Sequence, residues 1–439
     1  MPRTVPASAL ALTAALLAVP AAPAVAAGGF TAPADVGPGG PPSYGFGVPA
    51  TGPSGEIAVL AIRTQAHSRA SAVVLRRTRA DGTLGSPLVL SRSSYGSSEP
   101  ALSIRSDGDA VAAWLAYVPG STSRSGNRRV RAARVAPGTR SGSATVRSLS
   151  GGGSSAYSPT FVSVLPGPLL TWSLRTGPLG STRWTSRDTV TTGPSALPLT
   201  GVQLPIPVAG DGDRRVVAAV GSRALRIAVS TDAARSFGPA NAVDGSVGVI
   251  GRVTVSVDRQ GLGAAAWLDR SPTGGPSRVL ATVVGPQASD PAPAVVLDTP
   301  ATAPAPPLVA AQSDGALIGW TVTERRAPLA DSSPGVMRIA RLGAAGTADG
   351  ASVPLGGPGE RGRLAGLVGR VGDRAQAFWV TPSGALRSQV IGATGHPGRA
   401  VTLDRGVEWS SIGAAGSGTS PTAVTWTARG RLWLASKPR

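Results

Sequence analysis

The chain carries few residues able to do chemistry, and four of them are tyrosines. Tyr95 and Glu99 stand four apart in the stretch SSYGSSEP, a tyrosine and carboxylate couple within one loop. Tyr117, Tyr157, Glu324, Arg325, Glu360, Glu408 and Trp409 lie in comparable Gly/Ser/Pro-rich surroundings. A phenol or indole on a loop offers rigid apolar area with a polar tip, which suits a sugar ring or a partner's surface. A neighbouring guanidinium adds a preference for anions. These nine residues are therefore the candidate ligand-binding set. Polar side chains four apart in a loop are ordinarily just solvated, so none is assigned a catalytic role. The two histidines, His67 and His396, have no acidic or histidine partner at ligand spacing, and cysteine is absent. No metal site and no cofactor is expected.

What must position these residues is a repeat. A turn, a run of small apolar residues and a tryptophan recur as SDGDAVAAWL, with Trp114, and as AAQSDGALIGW, ending at Trp320. GRVGDRAQAFW ends at Trp379 and GSGTSPTAVTW at Trp426. With Ile62 and Val220 standing in where the tryptophan is missing, the anchors are Ile62, Trp114, Trp172, Val220, Trp267, Trp320, Trp379 and Trp426, spaced 47 to 59 residues apart. A period near fifty, divided into short apolar runs by Gly, Pro, Ser and Asp, indicates an all-β β-propeller of four-stranded blades. Eight anchors imply eight blades, or seven if the units around Trp172 and Val220, the most divergent pair, are miscounted.

Within the second unit the strands read Pro100 to Arg105, Ala110 to Tyr117, Arg129 to Val135 and Ala144 to Leu149. Asp107-Gly108 is hairpin chemistry, since a tight reversal needs positive φ. The last unit runs out after Leu432 to Ser436 and lacks a fourth strand. The segment Phe30 to Val36 is expected to supply it and close the ring, removing the free sheet edges. Each indole should pack against the neighbouring blade. Asp107, Asp109, Asp211, Asp213, Asp314 and Asp373 fall in turns between first and second strands and read as turn makers. The nine candidates fall at the other end, where second strands lead to third strands and one unit leads to the next.

Ser230-Thr231-Asp232-Ala233-Ala234-Arg235-Ser236-Phe237 follows the strand Leu225 to Val229. It resembles the Asp-box of the sialidase-like β-propellers, with Ala234 where that motif has glycine. Ser230, Asp232, Ser236 and Phe237 match its structural positions, in a turn where hydroxyl and carboxylate accept backbone N–H bonds and the aromatic plugs the sheet. The resemblance implies glycoside hydrolysis by an arginine cluster, a tyrosine nucleophile with a glutamate partner, and an aspartate acid/base. No catalytic residue maps onto this chain by motif.

Arg3, an apolar run from Ala9 to Val19 and the small residues Ala24 to Ala27 read as a secretory signal peptide over 1–27, cleaved near Ala26 or Ala27. One propeller domain should then span 28–439, secreted, extracellular and monomeric. It has no membrane span, because no second long apolar segment follows. Without cysteine, its core alone must hold it together. The net charge of +19 is spread as pairs such as Arg76-Arg77 rather than in runs, which argues against specific nucleic-acid binding. Two functions stay open. One is non-catalytic binding of a glycan, wall polymer or protein through the loop-rich face; the other is a sialidase-like, glycan-processing enzyme.

Overall fold

The computed structural model describes residues 27–37, 44–64, 70–79, 82–118, 128–139, 143–149, 159–164, 169–174, 180–184, 190–193, 208–211, 214–220, 224–231, 237–269, 277–300, 302, 304–323, 334–408, 411–416 and 421–437. Apart from a three-residue helical turn at Ala27–Gly29, every regular element described is a strand. The strands form antiparallel sheets, mostly of four strands in sequence order. Unit one, for example, orders Tyr44–Thr51, Ile57–Thr64, Ser71–Arg77 and Leu88–Ser93. Unit two orders Ser97–Ile104, Ala110–Tyr117, Arg128–Val135 and Val146–Ser148. Two later units share one larger sheet because Gly335 and Val336 pair with Gly362 and Arg361.

All eight anchor positions lie on the second strand of their unit, Ile62 on Ile57–Thr64 and Trp426 on Thr422–Ala428 at the extremes. The physical reason is volume. An indole fills the gap between two splayed sheets, and the second strand is central enough to be covered on both faces. Trp114, Trp267, Trp320, Trp379 and Trp426 are fully buried. Each clusters with apolar residues of the preceding unit, as Trp114 does with Leu60, Val73 and Leu75, and Trp320 with Ala264, Val279 and Ala281. Strand alternation sends the preceding residue to the opposite face. The hydroxyl of Thr425 accordingly donates to the Gly47 carbonyl at 2.7 Å, and a Cβ on Gly319 would stand 2.6 Å from Leu364. Before Trp320 and Trp426 the residue is small because the next unit's first strand passes there.

The expected turn chemistry is present. Gly108 has φ of 80°, and its amide closes the turn on the Arg105 carbonyl at 3.0 Å. The N-terminal segment joins the last unit, in the order Ala34–Asp35, Arg431–Lys437, Thr422–Ala428, Gly413–Ala415. Ala34 pairs with Leu434 and Asp35 with Trp433; the Thr31 amide bonds Ser436 at 2.7 Å and the Val36 amide bonds Leu432 at 2.8 Å. The regular strand is shorter than the expected 30–36, because Pro33 has no N–H to give the ladder. Phe30 is fully buried and meets Phe378 edge-on, with ring centroids 5.9 Å apart. The last unit also abuts the first. Arg76 donates to the carbonyls of Asp35 and Val36 at 3.0 and 2.9 Å, and a Cβ on Gly413 would stand 2.7 Å from the Gly47 carbonyl.

Candidate functional site

Tyr95 lies in the connection between units one and two and is 45% exposed. Its amide donates to the Ser93 hydroxyl oxygen at 3.2 Å, which fixes the loop. Two residues further on, Ser97 pairs with Ala116, and the Tyr117 amide donates to Gly96 at 3.2 Å. Glu99 sits in a bulge of the same strand, between the Ser98 and Ala101 pairings, at φ of 49° and exposed. A non-glycine residue there is strained by roughly 1–2 kcal/mol. Three of the nine candidates thus converge on one sheet edge. Arg128 stacks over the Tyr117 ring, 5.0 Å from its centroid.

Beside this edge, unit one opens a pocket of about 240 Å³ lined by Arg63, Ser71, Arg92, Ser93 and Ser94, floored by Val74 and Val89. Arg63 comes from the end of the second strand, Ser71 from the start of the third, and Arg92 to Ser94 from the end of the fourth. The Ser71 hydroxyl is buried with no hydrogen-bond partner among the described residues. Two guanidiniums, three hydroxyls and an apolar floor thus border the loop that carries Tyr95. This arrangement can grip an anionic, hydroxyl-bearing ligand and stack its ring. Arg63 and Arg92 were not among the sequence candidates. Their signal is positional, since Arg92 ends the strand that leads into the Tyr95 loop and Arg63 ends the strand that precedes Ser71.

The remaining candidates divide. Glu360 has an internal role: it accepts from the Trp379 indole at 3.0 Å and from Arg387 at 2.6 Å, with its side chain 14% exposed. Glu408 is exposed in the connection between Val401–Asp404 and Gly413–Ala415, far along the chain from Tyr95. Tyr157, Glu324, Arg325 and Trp409 lie outside the described residues. In the Asp-box-like stretch, Ser230 is buried and ends the strand Leu225–Ser230, and Asn241–Ala242 follows as fourth strand. The stretch thus falls in chain order between the third and fourth strands of its unit. Phe237 is half-buried, and Asp232 and Ser236 lie outside the described residues.

Several carboxylates do more than make turns. Asp109 is fully buried against Arg134 at 2.7 Å, and Arg134 also reaches Asp107 at 2.8 Å. Burial is the largest influence on Asp107 and raises its pKa. The Asp109 amide and the charges of Arg105 and Arg134 outweigh it, leaving the carboxyl below its ordinary value. Asp373 accepts from the Ser313 amide and hydroxyl at 2.8 and 2.6 Å, tying two units together. Asp298 and Asp404 accept from the indoles of Trp320 and Trp426 at 3.0 and 2.7 Å, each acid 22 residues before its tryptophan. The indole N–H groups of Trp114 and Trp267 have no partner among the described residues. Sequence reasoning missed these caps, although an acid about twenty residues ahead of Trp320, Trp379 and Trp426 was there to be read.

No family model matches this chain, and no curated protein matches it. Solved structures resemble it in fold. The Dos1 propeller aligns with TM-score 0.53 and 9% identity, over 92% of this chain and 94% of that one. A protein of unknown function from Dyadobacter fermentans aligns with TM-score 0.44 and 11% identity, over 94% of this chain and all of that one. A Hadza microbial sialidase aligns with TM-score 0.40 and 10% identity over 90% of this chain, which spans 66% of the sialidase chain. With its four-stranded antiparallel sheets, the chain has a β-propeller-like fold. At these identities the likeness concerns the fold alone.

Proposed function

We propose that this protein is a secreted, non-catalytic propeller that binds an anionic glycan or wall polymer through its loop-rich face. The observation that carries the reading is the pocket between Arg63 and Arg92 beside the exposed Tyr95. The protein's excess of positive charge would draw a polyanion toward it. Of the described carboxylates, Asp109 is engaged by Arg134 and Glu360 by Trp379 and Arg387, which leaves Glu99 as the exposed acid beside the Tyr95 loop.

In this reading the eight units are blades of one ring within a single domain, 28–439, following a cleaved signal peptide over 1–27. The contacts of Arg76 with Asp35 and Val36, and of Thr425 with Gly47, support closure between the last blade and the first. The Ser230 to Phe237 turn is taken as an Asp-box-like plug with a structural role only. No helix among the described residues is long and apolar enough to cross a membrane.

The test is retention of immobilised acidic polysaccharide by the mature chain at moderate and high salt. Wild type should be retained and released as salt rises, while Tyr95→Ala and Arg92→Ala should lose retention at least tenfold with unchanged melting. Retention undiminished in both variants would refute the assigned face. Hydrolysis of a sialoside by the wild type would refute the non-catalytic reading.

A further inference from the structure

A second pocket opens at the opposite ends of the first strands, where four successive units meet. It measures about 290 Å³ and is lined by the ends of Val249–Val257, Leu308–Gln312 and Arg361–Arg370 with their following turns, together with Gly416. That is close to the lower end of ligand-pocket sizes, about 300 Å³, and suits one sugar unit. Sequence reasoning gave this end to turn makers alone.

Two features of the lining call for a ligand. Gln312 is 3% exposed; its amide nitrogen donates to the Asp373 carbonyl at 2.5 Å, yet its carbonyl oxygen has no hydrogen-bond partner among the described residues. A buried acceptor left unpaired is costly, so a donor belongs beside it. The acids of the lining are already engaged. Asp258 accepts the Leu262 amide at 2.6 Å, and Asp373 holds Ser313 through both carboxylate oxygens. Both carboxylates keep their charge but are aimed at those donors, which leaves the guanidiniums of Arg259 and Arg370 as the groups of the lining that an anion can meet. Arg370 is already bonded to Gln376 at 2.9 Å, which fixes its orientation. Burial, and after it the charge of Arg374, lowers the Arg370 pKa; burial and then Arg370 lower that of Lys437. Cations crowd this end of the molecule, and an anion would relieve them.

We propose that this pocket binds a small polyhydroxylated anion, one sugar unit in size, whose carboxylate or phosphate meets Arg370 and Arg259 and whose hydroxyl donates to Gln312. The site is separate from the one beside Tyr95, and either can fail without the other.

Isothermal titration of the mature chain tests it with glucuronate, glucose 6-phosphate, glucose and inorganic phosphate as probes. At least one of the two hydroxylated anions should bind ten or more times more tightly than glucose and than inorganic phosphate. The tighter of the two names the anionic group. Arg370→Gln and the exposed Arg259→Ala should each weaken that probe several-fold with melting unchanged, and Tyr95→Ala should leave it as in wild type. Arg259→Ala carries the test if Arg370→Gln does not fold. Failure of both hydroxylated anions to bind, equal binding of inorganic phosphate, or wild-type affinity in Arg259→Ala would overturn the proposal.

Discussion

Removing the indole N–H should be more damaging where a carboxylate caps it than where nothing does. Trp426 and Trp114 are both fully buried on second strands, but among the described residues only the Trp426 indole has a partner, Asp404 at 2.7 Å. Replacing either by phenylalanine removes the same volume, so the cavity contribution largely cancels in the comparison. Left over is the hydrogen bond. A bond to a charged group contributes about 1.5–3 kcal/mol, reduced here because the half-buried Asp404 can rehydrate. At Trp114 the change instead deletes an unpaired donor, which offsets part of the lost packing. Trp426→Phe should therefore destabilise by about 1–2 kcal/mol more than Trp114→Phe, read as the difference in urea unfolding free energies. Asp404→Ala should cost about 1–3 kcal/mol, and Asp404→Asn, which keeps an acceptor, clearly less. Equal losses at the two tryptophans, or a larger one at Trp114, would refute the capping argument.

Deleting 28–36 should lower the urea midpoint sharply, because it removes the buried Phe30 and exposes the edge of Arg431–Lys437; Phe30→Ala alone should cost about 3–5 kcal/mol. An unchanged midpoint would count against the pairing. The Asp107 carboxyl titrates below its unfolded value of about 3.9, so its contribution is complete above that pH and is lost as pH falls through the lower folded value. Melting curves of wild type and Asp107→Asn should differ at neutral pH and converge below about pH 4; a gap that persists in acid would show that the ion pairs with Arg105 and Arg134 contribute nothing. Since the side chain is 39% exposed, the gap should also narrow with salt.

Large side chains and strict periods were what made the fold legible. Tryptophan recurs because only an indole fills the space between adjacent sheets, so the anchors alone set every second strand, even where Ile62 and Val220 replace it. In unit two, Ala110 to Tyr117 agrees with the observed strand at both ends, and the first strand begins three residues earlier than read, at Ser97. Small shifts of this kind arise because a bulge at Glu99 carries pairing past Pro100. The N-terminal strand was anticipated from its apolar residues, but Pro33 limits its ladder to two regular residues. For the site, tyrosines on loops stood out by rarity, and Tyr95, Glu99 and Tyr117 do gather at one edge. Arg63 and Arg92 did not stand out, being two among 42 basic residues. Nor could any pattern disclose that Gln312 holds a buried acceptor without a donor among the described residues. That fact depends on which units stand side by side.

Hydrogen exchange of the mature chain, with and without a saturating acidic polysaccharide, tests the central claim most directly. Slowed exchange should concentrate in peptides covering 92–98 and 115–118, where the Arg92 to Gly96 loop meets Tyr117. Protection confined instead to the turn at 105–109 would place the polymer on the opposite end of the sheets and contradict the assignment of the loop-rich face.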